Sequence, residues 1–169
     1  MTSQPPPTDV PPTAPPNGTT TTKKPQSVDD LPPAALDLAA KLFDLARAGT
    51  TPTLKLYLDA GAPKNLTNAA GDTLLMLAAY HGHADTARML IAAGADVNVL
   101  NGRGQSIIAG AVFKGYEDVV KVLFEAGADV GRGQPNAVDC ARMFKREGVL
   151  ALFGEELGEG REIRMDGQA

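Results

Sequence analysis

Glycine recurs at a fixed interval through the middle of the chain. One series has members 33 residues apart: Gly49, Gly82, Gly115 and Gly148. A second series has the same interval, and alanine follows each of its members: Gly61, Gly94 and Gly127. Self-similarity at a period of this size indicates stacked copies of one small supersecondary unit, because each copy must bury its apolar face against its neighbours.

Apolar residues repeat in phase with these glycines and indicate two helices in each unit. In the second unit Ala87, Leu90 and Ile91 are spaced i, i+3 and i+4, which places them on one face of a helix, with Leu90 in the core. We predict an inner helix over residues 73–81 and an outer helix over residues 84–93. A glycine follows each of them, because glycine tolerates the left-handed conformation found at helix ends.

The composition changes at both ends of the repeated region. Residues 1–28 are rich in proline and threonine and hold almost no large apolar side chains, so we predict a disordered tail. Residues 12–15 match a P-x-x-P ligand pattern, but such matches arise by chance in proline-rich sequence, and a solvated tail is the favoured interpretation. Residues 154–169 are rich in glycine and charge and are predicted to form a flexible C-terminal tail.

Residues 29–153 are predicted to form one domain of four units. The predicted units are 31–65, 66–98, 99–131 and 132–153. Asp30 is the predicted N-cap of the first helix, with Pro32 and Pro33 in the first turn, where a missing N–H costs nothing. The first unit lacks an opening turn and the fourth is short, so both are interpreted as capping units.

Charge and cysteine content exclude several classes of function. The net charge of −4 and the pI near 5.1 argue against nucleic acid, because a nucleic-acid binder needs a basic face. Cys140 is the only cysteine, so neither an internal disulfide nor a cysteine-based metal site is expected. Residues 1–10 do not resemble a secretory signal, and no apolar run approaches the length of a membrane helix. We expect a monomer in the cytoplasm, with the nucleus as a second location, and no membrane partner.

The most regular unit carries a recognisable order of residues. It reads GDTLLMLAAYHGH over residues 71–83 and closes with LIAAGADVN over residues 90–98. With the period of 33, this order resembles the ankyrin repeat, and the array looks like small stand-alone ankyrin proteins. The family's Thr-Pro-Leu-His opening is incomplete, since the hydroxyl is kept at Thr73 and Ser106 but the proline and histidine are absent. The resemblance implies an all-α helix-turn-helix repeat solenoid of about four units, which binds a partner protein through its concave face.

The resemblance places the candidate partner-binding residues on loop tips and on exposed positions of the inner helices. Residues spaced 33 apart hold equivalent positions in successive units, and we call such a set a column. One column has two aromatic residues flanked by two arginines, a composition typical of binding hot spots: Arg47, Tyr80, Phe113 and Arg146. The other candidates lie in the second and third units: Asp72, His81, Leu100, Arg103, Gln105 and Lys114. The alternative is that Tyr80 and Phe113 only cover the ends of the inner helices.

Catalysis has the least support among the classes of function. In steps of 33, Cys140 falls in the column of the apolar Leu74 and Ile107, so it is predicted to be buried, and His81 lies two units away, too far for proton transfer. The His81-x-His83 pair lacks a third metal ligand, and His83 is interpreted as structural at the start of the outer helix. We expect no enzyme, no metal and no cofactor. The alternative to a general interaction module is a regulatory subunit or inhibitor of an enzyme or a transcription factor.

Overall fold

Eight α-helices stack in two layers in the described part of the chain. The computed structural model describes residues 27–154, so the predicted tails lie almost wholly outside the described residues. The inner layer consists of α1 (Pro33–Ala48), α3 (Leu74–Tyr80), α5 (Ile107–Lys114) and α7 (Ala137–Met143). The outer layer consists of α2 (Thr51–Asp59), α4 (Ala84–Ala92), α6 (Glu117–Glu125) and α8 (Glu147–Leu152). Residues 27–154 contain no strand, and the predicted all-α solenoid of four helix pairs is confirmed.

The core lies between the two layers and continues from one helix pair to the next. Each inner helix packs against the inner helices beside it and against its own outer helix. In α3 the residues from Leu74 to Ala79 are all buried, and on α4 both Ala87 and Leu90 are fully buried. Two residues of the predicted apolar face, Ala87 and Leu90, therefore lie in the core, and the third, Ile91, is half-buried against it. Burial of a side chain such as Leu90 contributes roughly 1.5–3 kcal/mol, and a neighbouring unit is needed to complete it.

A side-chain cap begins each of the last three inner helices. Thr73 Oγ1, Ser106 Oγ and Asn136 Oδ1 each accept a hydrogen bond from the backbone N–H three residues later, at 3.1, 3.3 and 2.8 Å. A cap of this kind contributes about 1 kcal/mol. The retained hydroxyls therefore still set the start of α3 and α5, although the proline that follows in the family pattern is absent.

The fourth unit is shorter than the constant interval predicts. Thr73 and Ser106, which cap α3 and α5, are 33 residues apart, whereas Ser106 and Asn136 are 30 apart. Gly148, the last member of the first glycine series, does not follow an inner helix as Gly82 and Gly115 do, because it lies inside α8. Lys145, with φ of 52°, takes the left-handed position instead. Residues of the fourth unit are thus displaced by three positions from the predicted columns.

The first helix begins later than predicted. Asp30 is not its N-cap, because it lies in a 3₁₀ turn, Val28–Asp30, that the side chain of Ser27 caps. Helix α1 starts at Pro33, where the fixed φ of proline suits the first helical position. The backbone N–H of Val28 donates to the carbonyl oxygen of Thr67 at 3.0 Å, which holds the start of the described chain against the second unit.

Asparagine side chains connect successive units beyond the outer helices. Asn65 Oδ1 accepts a hydrogen bond from the backbone N–H of Asp96 at 3.0 Å. One repeat later, Asn98 Oδ1 accepts from the backbone N–H of Asp129 at 2.8 Å. The period of 33 therefore extends to the contacts that join the units.

Candidate functional site

A groove of about 420 Å³ opens where the inner helices meet the turns that precede them. Its lining comes from α3, α5 and α7 and from the turns before each of these helices. The volume is within the range of protein sites that hold a small ligand or a few side chains. Because three successive units contribute residues, the groove exists only in the stacked array.

One wall of the groove is polar and is fixed by hydrogen bonds. Asn101 Oδ1 accepts from the backbone N–H groups of Arg103 and Gln105, both at 3.0 Å, which sets the shape of the turn before α5. The Asn101 amide nitrogen donates to Asp72 Oδ1 and to Gln105 Oε1, again at 3.0 Å. The guanidinium of Arg103 is exposed and has no ion pair or hydrogen bond within residues 27–154. The Asp72 carboxylate, which Asn101 holds by a hydrogen bond, and the free Arg103 guanidinium therefore face the same groove.

The opposite wall is aromatic. Tyr80 and Phe113 occupy equivalent positions in α3 and α5 and stay 42% and 49% exposed. Lys114 Nζ lies 4.5 Å from the centroid of the Tyr80 ring, at a cation–π distance. The rings of Phe113 and Phe144 pack edge to face with centroids 5.3 Å apart. Exposed aromatic rings thus lie in the second, third and fourth units.

The floor of the groove is apolar and has a depression at Gly110. This residue lies in α5 at the position that Leu77 holds in α3 and Cys140 holds in α7, so a side chain is missing between two that are present. A Cβ atom at Gly110 would lie 3.6 Å from Tyr80 Cδ2, an ordinary contact distance, so packing does not require glycine here. Glycine inside a helix costs about 1 kcal/mol relative to alanine.

Six of the ten predicted site residues are brought together here. Five line the groove: Asp72, Tyr80, Arg103, Gln105 and Phe113. Lys114 lies beside them over the Tyr80 ring. Partner binding by these residues stays a prediction, but their placement in one groove gives it a defined geometry.

Three predicted site residues lie outside the groove lining. Arg47, in the last turn of α1, forms an ion pair with Asp44 at 2.9 Å. His81 is exposed at the end of α3, with its ring centroid 6.1 Å from that of Tyr80. Leu100 is half-buried and forms an isolated antiparallel bridge at the base of the turn before α5. The structure does not bring these three residues together.

The predicted position of Arg146 in the column of Tyr80 is wrong. Because the fourth unit is three residues shorter, Arg146 becomes the N-cap residue of α8 and is equivalent to Tyr116, the N-cap residue of α6. Its guanidinium packs over Gly115, and its buried Nε has no hydrogen-bond partner among residues 27–154. Met143 takes the column position and is exposed.

The same displacement changes the column of Cys140. It is aligned with Leu77 and Gly110 rather than with Leu74 and Ile107, although it is buried as predicted. Burial raises the pKa of the thiol, and the neighbouring Asp139 carboxylate raises it further. The thiolate is the nucleophilic and metal-binding form, so a raised pKa makes Cys140 less reactive.

The two histidines make different contacts. The ring of His83, at the start of α4, covers Gly49, and its Nε2 atom lies 2.7 Å from the carbonyl oxygen of Arg47, so it joins the first unit to the second as a structural residue. Within residues 27–154 no three His, Cys, Asp or Glu side chains are grouped as metal ligands. Of the helices in this range, none is long and apolar enough to cross a membrane.

Sequence reasoning missed the floor of the groove and its wall in the fourth unit. The lining residues concerned are Met76, Leu77, Gly110, Pro135 and Cys140, and Phe144 lies beside them against the Phe113 ring. A signal for the fourth unit was available at Asn136, because asparagine is a favoured N-cap residue and lies just before an apolar helical stretch. Alignment on capping residues, rather than on glycines, reveals the shorter repeat.

Comparisons with known proteins agree with this architecture. A family model described as ankyrin repeats in three copies matches residues 42–134. A segment of 61 residues is 51% identical to a protein of Pseudomonas aeruginosa that is named for ankyrin repeats, and it covers 33% of this chain and 36% of that relative. The chain therefore belongs to the ankyrin repeat family, whose members generally mediate protein–protein interaction and are typically not enzymes.

Proposed function

We propose that this chain is a protein–protein interaction module, not an enzyme, and that it binds one partner protein in the groove on the concave face of the array. The observation that carries the proposal is the convergence of two exposed aromatic rings, a held carboxylate and a free guanidinium around an apolar depression. Binding hot spots combine these elements, because an aromatic or apolar anchor supplies most of the affinity while polar groups around it set the orientation.

The partially exposed aromatic rings favour binding over a purely structural role. Tyr80 and Phe113 leave about half of their surface open to solvent, although the residues beneath them in α3 and α5 are already buried. Phe144 adds a third exposed ring to the same surface. Exposed aromatic side chains grouped on one side of a folded chain are typical of interaction sites.

The lining also favours a particular chemistry for the partner segment. An apolar side chain of the partner fits the depression at Gly110, which the rings of Tyr80 and Phe113 flank. An acidic group or backbone carbonyl of the partner fits Arg103, and a hydrogen-bond donor or basic group fits Asp72. A partner with this pattern, whether a regulated enzyme or a transcription factor, would make the chain a regulatory subunit or inhibitor through the same surface.

The test is affinity capture from lysate with the partner identified by mass spectrometry. Wild type is compared with a Tyr80→Ala/Phe113→Ala double variant, which removes the aromatic wall. A control variant, Leu56→Ala, removes an exposed apolar side chain on α2 that does not line the groove. Circular dichroism first establishes that all three proteins are folded.

The proposal predicts that a protein held by wild type and by the control is lost with the Tyr80→Ala/Phe113→Ala variant. Equal capture by all three proteins would move the binding site away from the groove. Loss of the captured protein with the control alone would place the binding site on the outer helices and would also contradict the proposal.

A further inference from the structure

We propose that the groove also binds the proline-rich segment of the same chain, residues 1–26, so that an outside partner must displace an intramolecular occupant. This inference takes the groove as a protein-binding surface from the proposed function and adds a competitor built into the chain. Three observations on different parts of the molecule support it: the lining of the groove, the composition of the segment, and the point where the segment joins the fold.

The lining of the groove suits a polyproline-II ligand. Such ligands dock between aromatic side chains, and they lose little entropy because their backbone is already extended. Tyr80, Phe113 and Pro135 line the groove, and the ring of Phe144 packs against that of Phe113 at its edge. A polyproline-II backbone has no internal hydrogen bonds, so its carbonyl oxygens can accept from Arg103, whose guanidinium has no partner within residues 27–154.

The segment has the composition of such a ligand. It holds most of the chain's 13 prolines, in short clusters at residues 5–7, 11–12 and 15–16. Its only acidic residue is Asp9, which would complement Arg103, and its two basic residues follow the clusters at Lys23 and Lys24. Nothing in the segment is large and apolar enough to form a core of its own, so a groove elsewhere in the chain offers it the apolar contact it lacks.

The segment joins the fold close to the groove. Ser27 and Val28 pair with Thr67, and Thr67 in turn forms an antiparallel bridge with Thr73, the residue that follows the groove residue Asp72. In the polyproline-II conformation the residues between Pro15 and Ser27 reach roughly 35 Å, at about 3.1 Å per residue. Stacked helices lie about 8–10 Å apart, so this reach spans the three units that line the groove.

Attachment to the same chain makes even a weak contact effective. A short flexible connection gives an effective concentration of about 1 mM. A segment that binds the groove with a Kd of about 0.1 mM would then occupy it roughly nine-tenths of the time and weaken an outside partner about tenfold. Only a partner that binds the groove tightly enough would then displace the segment.

The test compares amide NMR spectra of the full chain with those of a variant in which the seven prolines at 5–7, 11–12 and 15–16 are replaced by serine. We expect shift differences at Tyr80, Gly110, Arg103 and Phe113, and unchanged positions for the outer helices α4 and α6. The substitutions lie outside residues 27–154, so they leave the described core intact. Spectra recorded at two protein concentrations that differ tenfold distinguish contact within one chain from contact between chains.

Shift differences confined to the groove and independent of concentration would establish the intramolecular contact. Identical spectra, or differences on the outer helices, would overturn it, and differences that grow with concentration would assign the groove to a second copy instead. The experiment uses no partner protein. Its failure would therefore leave binding of an outside protein unaffected, and failure of the capture experiment would leave this result standing.

Discussion

At the scale of single residues, Gly110 and Cys140 show how the groove acquires its shape. Both lie at the same position of an inner helix, where α3 has Leu77. Glycine leaves a depression at this position in α5, at a cost to the helix, while the thiol in α7 fills it with a small and weakly reactive side chain. The floor therefore depends on the choice of residue at one repeated position.

Gly110→Ala should make the protein more stable and its groove shallower. The new methyl group meets only Tyr80 Cδ2, at an ordinary contact distance, and alanine favours the helix by up to about 1 kcal/mol. Urea unfolding should show a higher midpoint with an unchanged slope, while capture of the partner weakens. A variant that is less stable than wild type would show that the floor is tighter than the structure indicates.

Cys140 should react slowly with a thiol reagent near neutral pH and faster as the pH rises, because burial raises its pKa. The native state then binds the thiol proton more tightly than the unfolded state, so the stabilising contribution is complete below the ordinary thiol pKa and is lost as the pH rises through the raised one. Cys140→Ala should lack this alkaline loss of stability. Alkylation at neutral pH as fast in the folded protein as in urea would contradict the assignment.

At the scale of elements, the helix ends show where the repeat is strict and where it varies. Gly82 and Gly115 end α3 and α5 with left-handed φ values of 82° and 79°. Lys145 holds the corresponding position after α7 with φ of 52°. A residue with a Cβ atom in this conformation costs roughly 1–2 kcal/mol, so the end of the fourth inner helix is under local strain that the others avoid.

Lys145→Gly should therefore stabilise the fourth unit by about 1 kcal/mol, since glycine adopts the left-handed conformation freely. The matched control is Gly115→Ala, which should destabilise, because its new Cβ atom would lie 2.9 Å from Arg146 Cζ and would strain φ. Thermal unfolding by circular dichroism measures both. A lower Tm for Lys145→Gly would show that the side chain of Lys145 stabilises the fold by more than its left-handed backbone conformation costs.

The two helices of the second unit should respond differently to truncation. Leu90→Ala on α4 removes a fully buried side chain and should cost about 2–5 kcal/mol. Tyr80→Ala removes a side chain that is 42% exposed at the groove wall and should cost about 1 kcal/mol or less. Urea unfolding of both variants measures the difference. Equal losses of stability would place Tyr80 in the core and would remove it from the binding surface.

At the scale of the whole molecule, the regular stack could be predicted from sequence because its physical causes repeat. The glycines at helix ends and the apolar face of α4 recur every 33 residues through the third unit, so period and burial follow directly. That interval does not place the fourth unit, because the connection before α7 is three residues shorter. The helices still stack, but each residue of the fourth unit lies three positions away from the column that the interval assigns to it. Arg146 therefore packs over Gly115 instead of joining the aromatic wall.

The groove could be predicted only in part for a related reason. Asp72, Tyr80, Arg103, Gln105 and Phe113 occupy positions that stacking leaves free, and the family pattern indicates them. The floor depends on residues that a pattern assigns to the core. Their exposure to the groove arises when three units are assembled and one side chain is absent between them.

Site-specific photocrosslinking tests the central claim, that the groove binds a protein partner, most directly. A photoreactive amino acid replaces Gln105 at the polar wall or, as the matched control, Lys121 on the outer helix α6; both positions are exposed. After irradiation in cells, we expect a specific adduct with one partner protein from position 105 and none from position 121. An adduct from position 121 with no adduct from position 105 would contradict binding in the groove and move the binding surface to the outer helices.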